Sequence, residues 1–139
     1  MRIMSTELLD GRTCLVTGSS RGIGLGVARA LTNHGGTVIL HGREKKTLRS
    51  ALASLKGLGA THILAADLSD HDGIERLEAE IARCFGTLHV LIQSAGILGL
   101  KVPLAEYPAE VWGEVTWSTT ATPKGCDQPF ILHKDAGER

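Results

Sequence analysis

Aromatic residues are scarce in this sequence: two Trp, two Phe and one Tyr make up 4% of its 139 residues. A core must therefore rest on Leu, Ile, Val and Ala. Cysteine is also sparse, and Cys14, Cys84 and Cys126 form an odd set with no CxxC spacing. That excludes a disulfide framework or a thiolate zinc site and reads as reduced intracellular thiols. No stretch approaches the roughly 18 consecutive apolar residues of a spanning helix. The opening Met1-Arg2-Ile3-Met4-Ser5 lacks the apolar region of a signal peptide. A cytoplasmic location without membrane contact is the expectation. An excess of one charge is missing too, because 15 basic residues balance 15 acidic ones. No global field then favours nucleic acid or an anionic surface as a partner. The histidines His34, His41, His62, His71, His89 and His133 show no metal-ligand spacing, so no metal site is expected. A GxSxG nucleophile elbow and a P-loop lysine are likewise absent.

What is present describes one ordinary globular domain, with 42% apolar and 22% charged residues. Short apolar runs alternate with helix-period segments. Cys14-Leu15-Val16-Thr17 is the first run and ends in glycine. Ile23, Val27, Ala30 and Leu31 then recur on one helix face, and Gly35-Gly36 stops that helix. Val38-Ile39-Leu40 is a second run, followed by a Leu48, Leu52, Leu55 stripe. Ile63-Leu64-Ala65-Ala66 is a third. Ser69 or Asp70 can cap the next helix, whose stripe is Ile74, Leu77, Ile81 and Phe85, and Val90-Leu91-Ile92 is the fourth run. Unbroken apolar strands imply burial on both faces, as in parallel sheets covered by helices on two sides. The order β-α-β-α-β-α-β with right-handed crossovers predicts an α/β, Rossmann-type doubly wound sheet, incomplete at about four strands. Pro108, Val111, Trp112 and Val115 suggest one further helix start. From Thr116 the threonines and prolines predict an irregular tail, which divides the chain into a nucleotide-binding half-domain over 1–115 and a tail over 116–139.

Between the first strand and first helix stands Thr17-Gly18-Ser19-Ser20-Arg21-Gly22-Ile23-Gly24. A glycine string alone is weak, but at the first βα turn it gains a mechanism. Gly18 lets the chain turn off the strand, Gly22 removes bulk where a pyrophosphate would approach, and Gly24 permits close helix–sheet packing. The helix start then offers unpaired N–H groups and partial positive charge to phosphates. The bland alternative is a tight glycine turn that binds nothing. The spacing here is Gly-x-x-x-Gly-x-Gly, and the segment resembles the short-chain dehydrogenase/reductase family, whose first-turn signature is TGxxxGxG. Two further landmarks follow in register, Asp67-Leu68 after the third strand and Ser94-Ala95-Gly96 after the fourth. The resemblance covers roughly residues 8–115. Gln93-Ser94 departs from it by standing where the family has two asparagines, so the amide that braces the sheet is missing.

The resemblance implies a nicotinamide-dependent oxidoreductase acting on a carbonyl or secondary alcohol, akin to 3-oxoacyl carrier-protein reductases and sugar-acid dehydrogenases. Gly18, Ser20, Arg21, Gly22, Ile23, Gly24, Arg43, Asp67, Leu68, Ala95 and Gly96 would line the nucleotide. Strand two ends His41-Gly42-Arg43 with no acid at the turn. An acid there would bind the ribose 2′-OH of NAD(H), whereas arginine suits the 2′-phosphate of NADP(H). Arg43, aided by Arg21, therefore points to NADP(H). NAD(H) stays open through Glu44, and the alternative reading of Arg43 is the start of a solvated run with Glu44, Lys45 and Lys46.

The family's Tyr-x-x-x-Lys catalytic pair is not found. The single tyrosine, Tyr107, is followed four residues on by Val111, and it falls too soon after the fourth strand. It reads as a packing tyrosine. No catalytic residue is therefore assigned, and Ser118 is the nearest counterpart to the family's helical Asn. Asp70, Asp72, Glu75 and Glu78 read as a solvated helix face. The loss of pattern after Val115 points to a truncated or frame-shifted member. A non-catalytic nucleotide-binding or interaction module is the rival expectation. In either case the apolar edge of Val90-Leu91-Ile92 would recruit another chain or a second copy.

Overall fold

Cys14, Leu15 and Val16 are consecutive in one strand and all fully buried, although their side chains alternate between the two sheet faces. Both faces must therefore be covered. The computed structural model describes residues 8–120. Its order is β1 (Thr13–Thr17), α1 (Gly22–Asn33), β2 (Thr37–Gly42), α2 (Lys45–Ser54), β3 (Thr61–Ala65), α3 (His71–Phe85), β4 (Val90–Gln93), a 3-10 turn (Leu104–Glu106) and α4 (Ala109–Thr120). The strands form one parallel sheet in the order β3-β2-β1-β4. Two cores result. On one face Cys14, Val16, Val38 and Leu40 pack with Ala28 of α1 and Leu48, Ala51 and Leu55 of α2. On the other, Leu15 and Ile39 pack with Ile74, Leu77 and Ile81 of α3. The Rossmann-type doubly wound sheet of four strands expected from the alternation is what forms.

The chain winds outward from β1 through β2 to β3, then returns past β1 to lay down β4. The direction of winding thus reverses between β1 and β4, and a crevice opens there beyond the carboxyl ends of the strands. In the described residues β4 pairs with β1 alone and forms one border of the sheet.

One helix face differs from the hydrophobic pattern. In α1 the buried residues are Gly24, Ala28 and Thr32, while Ile23 is 82% exposed and Ala30 is also exposed. The reason is proximity. A Cβ on Gly24 would lie 2.5 Å from the Gly18 carbonyl oxygen, so this stripe has room only for small side chains. Thr32 fits by donating its hydroxyl to Ala28 O at 2.8 Å. The stripes of α2 and α3 match the pattern, and Asp70 caps α3 by accepting the Asp72 amide.

Helix α4 starts beside Pro108 as the pattern suggests, but it runs to Thr120, five residues beyond the boundary expected at 115. Threonine lowers helix propensity by well under about 1 kcal/mol per residue, which is a weak prior, and the nearest proline, Pro123, lies further on. The rest of the expected irregular tail, with Cys126 and His133, lies outside the described residues. Among the described residues, no helix is long and apolar enough to cross a membrane.

Candidate functional site

The crevice at the winding reversal contains a cavity of about 750 Å³, within the roughly 300–1,000 Å³ typical of ligand and cofactor sites. Its walls come from four places in the chain. The β1–α1 loop gives Gly18, Ser20 and Arg21; the end of β2 gives His41, Gly42 and Arg43. Asp67, Leu68 and Ser69 follow β3, and Ser94, Ala95, Gly96 and Ile97 follow β4, with Gly113 and Glu114 of α4 closing the lining.

The β1–α1 loop is held from three sides. Gly18 adopts φ +63°, and a Cβ there would come within 2.7 Å of Ala95 Cα. Only glycine meets both conditions. Gly22 has φ +61° with open space around it, so its requirement is the backbone angle alone. Ser19, fully buried, donates its hydroxyl to Val16 O at 2.6 Å and accepts the His41 amide at 2.9 Å. The Ser19 amide in turn donates to His41 O at 2.9 Å.

Thr17 supplies the bracing that the Gln93-Ser94 departure left in question. Its hydroxyl oxygen accepts the amides of Ser94 and Ala95, both at 3.1 Å, and donates to Ile92 O at 3.5 Å. The end of β1 is thereby fastened to the segment after β4 without an asparagine amide.

At the start of α1, Arg21 takes the cap position in extended geometry and makes no side-chain cap bond, and the first turn contains no acid. The leading amides of α1 therefore face outward from a positive helix end with no side-chain acceptor over them. Arg21 and Arg43 are both exposed at the cavity, and the acids Asp67 and Glu114 line it with them. The Ser69 hydroxyl and amide hold the Asp67 carboxyl below its ordinary value of 3.8, with Arg43 contributing by charge. Burial pushes His41 below its ordinary 6.5, opposed by its bond to Ala66 and by the charge of Asp67.

Of the residues expected to line a nucleotide, Gly18, Ser20, Arg21, Arg43, Asp67, Leu68, Ala95 and Gly96 meet in this cavity. Leu68 also packs into the α3 core. Gly22, Ile23 and Gly24 do not line it, since they sit in the first turn of α1, where main-chain amides rather than side chains would reach a ligand. Glu44 caps α2 in extended geometry and is exposed, outside the cavity lining. Tyr107 does not reach the cavity. Its hydroxyl accepts the Leu100 amide at 3.1 Å, and its ring meets Trp112 edge-on at 6.0 Å. No cluster of metal-ligating side chains occurs among the described residues. Sequence reasoning missed His41, Gly42, Ser69, Ser94, Ile97, Gly113 and Glu114. His41 was within reach, because it directly precedes the Gly42-Arg43 turn, but α4 residues are brought here only by tertiary packing.

Comparison with known proteins places these features in context. The family model for short chain dehydrogenases matches residues 12–121. A short chain dehydrogenase/reductase of Colletotrichum higginsianum is 35% identical over 108 residues, which are 77% of this chain and 40% of that protein. Another, from Macrophomina phaseolina, is 35% identical over 138 residues, covering 96% of this chain and 75% of that protein. A metagenomic short-chain oxidoreductase solved in complex with NADP aligns with TM-score 0.73 and 31% identity, over 79% of this chain and 50% of its own. The chain thus spans half or less of two of these three relatives.

Proposed function

This chain belongs to the short-chain dehydrogenase/reductase family, and from that premise we propose that its crevice binds a nicotinamide dinucleotide, with preference for NADP(H) over NAD(H). The observation that carries the proposal is the convergence of Gly18, Arg21 and Arg43 on one cavity beside the uncapped start of α1. The leading amides of α1, at Gly22, Ile23 and Gly24, would receive the diphosphate. The guanidinium forks of Arg43 and Arg21 would take the 2′-phosphate, where an acid would be repelled. Asp67 and Leu68 would border the adenine, and Ala95 and Gly96 the far end of the groove.

When bound, the nicotinamide ring supplies or accepts the hydride for a carbonyl or secondary alcohol. No residue of this chain is assigned to proton transfer, because Tyr107 has Val111 rather than lysine four residues on, and its hydroxyl serves the Leu100 amide. Substrate class and turnover therefore belong to the proposal and not to the fold. Isothermal titration with NADP⁺ and NAD⁺ side by side tests it. Saturable binding with NADP⁺ tighter is expected, and absence of binding by either would end the proposal.

A second function class is the non-catalytic nucleotide-binding or interaction module. It is favoured by the place of Tyr107 outside the cavity. Dinucleotide binding without carbonyl reduction by NADPH would select it.

A further inference from the structure

We infer that His41 is the positioning residue that locks the glycine loop to the end of β3, and that it does so only as the neutral imidazole protonated on Nε2. The inference rests on the dinucleotide reading above and names a control on the same site. His41 is 2% exposed at the end of β2 and makes four contacts that bridge three segments. Its Nε2 lies 3.1 Å from Ala66 O, an acceptor, so that nitrogen carries the hydrogen. Its Nδ1 lies 3.4 Å from the Gly18 amide, a donor, so that nitrogen offers its lone pair. The two partners are mutually consistent with one tautomer. The His41 main chain meanwhile bonds Ser19 in both directions at 2.9 Å. One residue thus fixes the loop proposed to face the diphosphate and the strand end proposed to face the adenine.

Protonation would place an N–H on Nδ1 directly against the Gly18 N–H. Two donors would then face each other in a buried site, and the loop could relieve them only by moving away from His41. The ionisable groups facing the ring are few. Asp67, after β3, favours the charged form, and Arg43, at the end of β2, balances Asp67. The β1–α1 loop presents Gly18 and Ser19 to the ring, while its Arg21, with Glu114 of α4, lines the same cavity. Burial, the largest influence on the ring, disfavours charge. His41 therefore remains neutral at pH 7 and releases the loop only in acid.

The test uses the full chain, with NADP⁺ as the titrant between pH 8 and pH 5. Wild-type affinity should hold while the ring is neutral, through pH 6.5 and below it, and fall by about tenfold for each unit only after the ring protonates. His41→Asn keeps an acceptor near the Nδ1 position and cannot charge. It should bind at pH 8 and retain only the shallower loss that comes from titration of the 2′-phosphate itself. Long-range ¹H–¹⁵N spectra of the wild type should show the Nε2–H tautomer persisting at pH 6. A protonated ring or an Nδ1–H tautomer at pH 6.5 would overturn the inference. An identical pH profile for His41→Asn would overturn it while leaving dinucleotide binding intact. Failure of the wild type to bind at any pH would remove the functional reading and this inference together.

Discussion

The Cα of Ala95 stands where a methyl group on Gly18 would have to go, 2.7 Å from the Cβ position. The loops after β1 and β4 pass this closely because Thr17 draws the second onto the first. The floor of the cavity is therefore two backbones in contact, one of them held at φ +63°. Gly18→Ala should destabilise the chain by at least about 2 kcal/mol, from the left-handed angle and the clash together. Urea denaturation reads the stability, and NADP⁺ titration of the folded fraction should show weakened binding. A variant of unchanged stability would mean that the loops are free to separate.

Thr17→Val should leave the amides of Ser94 and Ala95 without their shared acceptor. A loss of about 1–2 kcal/mol is expected for two half-buried amides left without a partner, whereas Thr17→Ser keeps the oxygen and should lose under about 1 kcal/mol. Equal effects of the two substitutions, read by thermal melts, would assign the role of Thr17 to its methyl group.

Arg43→Ala should weaken NADP⁺ binding by about 1.5–3 kcal/mol, the range for a hydrogen bond to a charged group, and leave NAD⁺ binding unchanged. Titration with both dinucleotides measures the difference. Equal weakening toward the two would place Arg43 outside the 2′-phosphate site, as a residue of the exposed run that continues through Glu44, Lys45 and Lys46.

Stability should be greatest near neutral pH and fall on both sides. Burial lowers the His41 pKa below 6.5, so the unfolded chain takes up a proton that the folded chain refuses. Stability is then lost as pH falls from 6.5 toward the folded value. Burial raises the Cys14 thiol from 9.0 to about 11, so here the unfolded chain loses a proton first. That contribution is complete below 9.0 and is lost as pH rises through about 11. Urea midpoints across the range check both arms, and His41→Asn should flatten the acid arm alone.

At the border of the sheet, we propose that a second copy of this chain docks along β4. Val90, Leu91 and Ile92 are half-buried there, and in the chain that follows β4 Leu98 is 93% exposed and Leu104 76%. Isolated edges of this kind pair with other strands. Sedimentation velocity should show a dimer that Leu98→Lys with Leu104→Lys weakens, and a strictly monomeric chain at high concentration would refute the docking.

The strand–helix alternation was legible because a parallel sheet buried on both faces demands continuous apolar runs, as at Cys14 to Val16 and Val38 to Leu40. The glycine loop was legible as well, since backbone angles at Gly18 and Gly22 leave glycine as the one comfortable residue. The helix face of α1 was not. Periodicity ranks residues by apolarity and pointed to Ile23, whereas contact distance selected Gly24, Ala28 and Thr32. His41 also escaped, because a histidine in an apolar strand looks like any other until Gly18 and Ala66 are brought to its two nitrogens. Local sequence determined where the chain turns and which elements it forms, through steric limits that act within a few residues. The partners at the cavity, from Asp67 to Ala95, were decided by tertiary structure, because the return of β4 past β1 sets residues some eighty positions apart side by side.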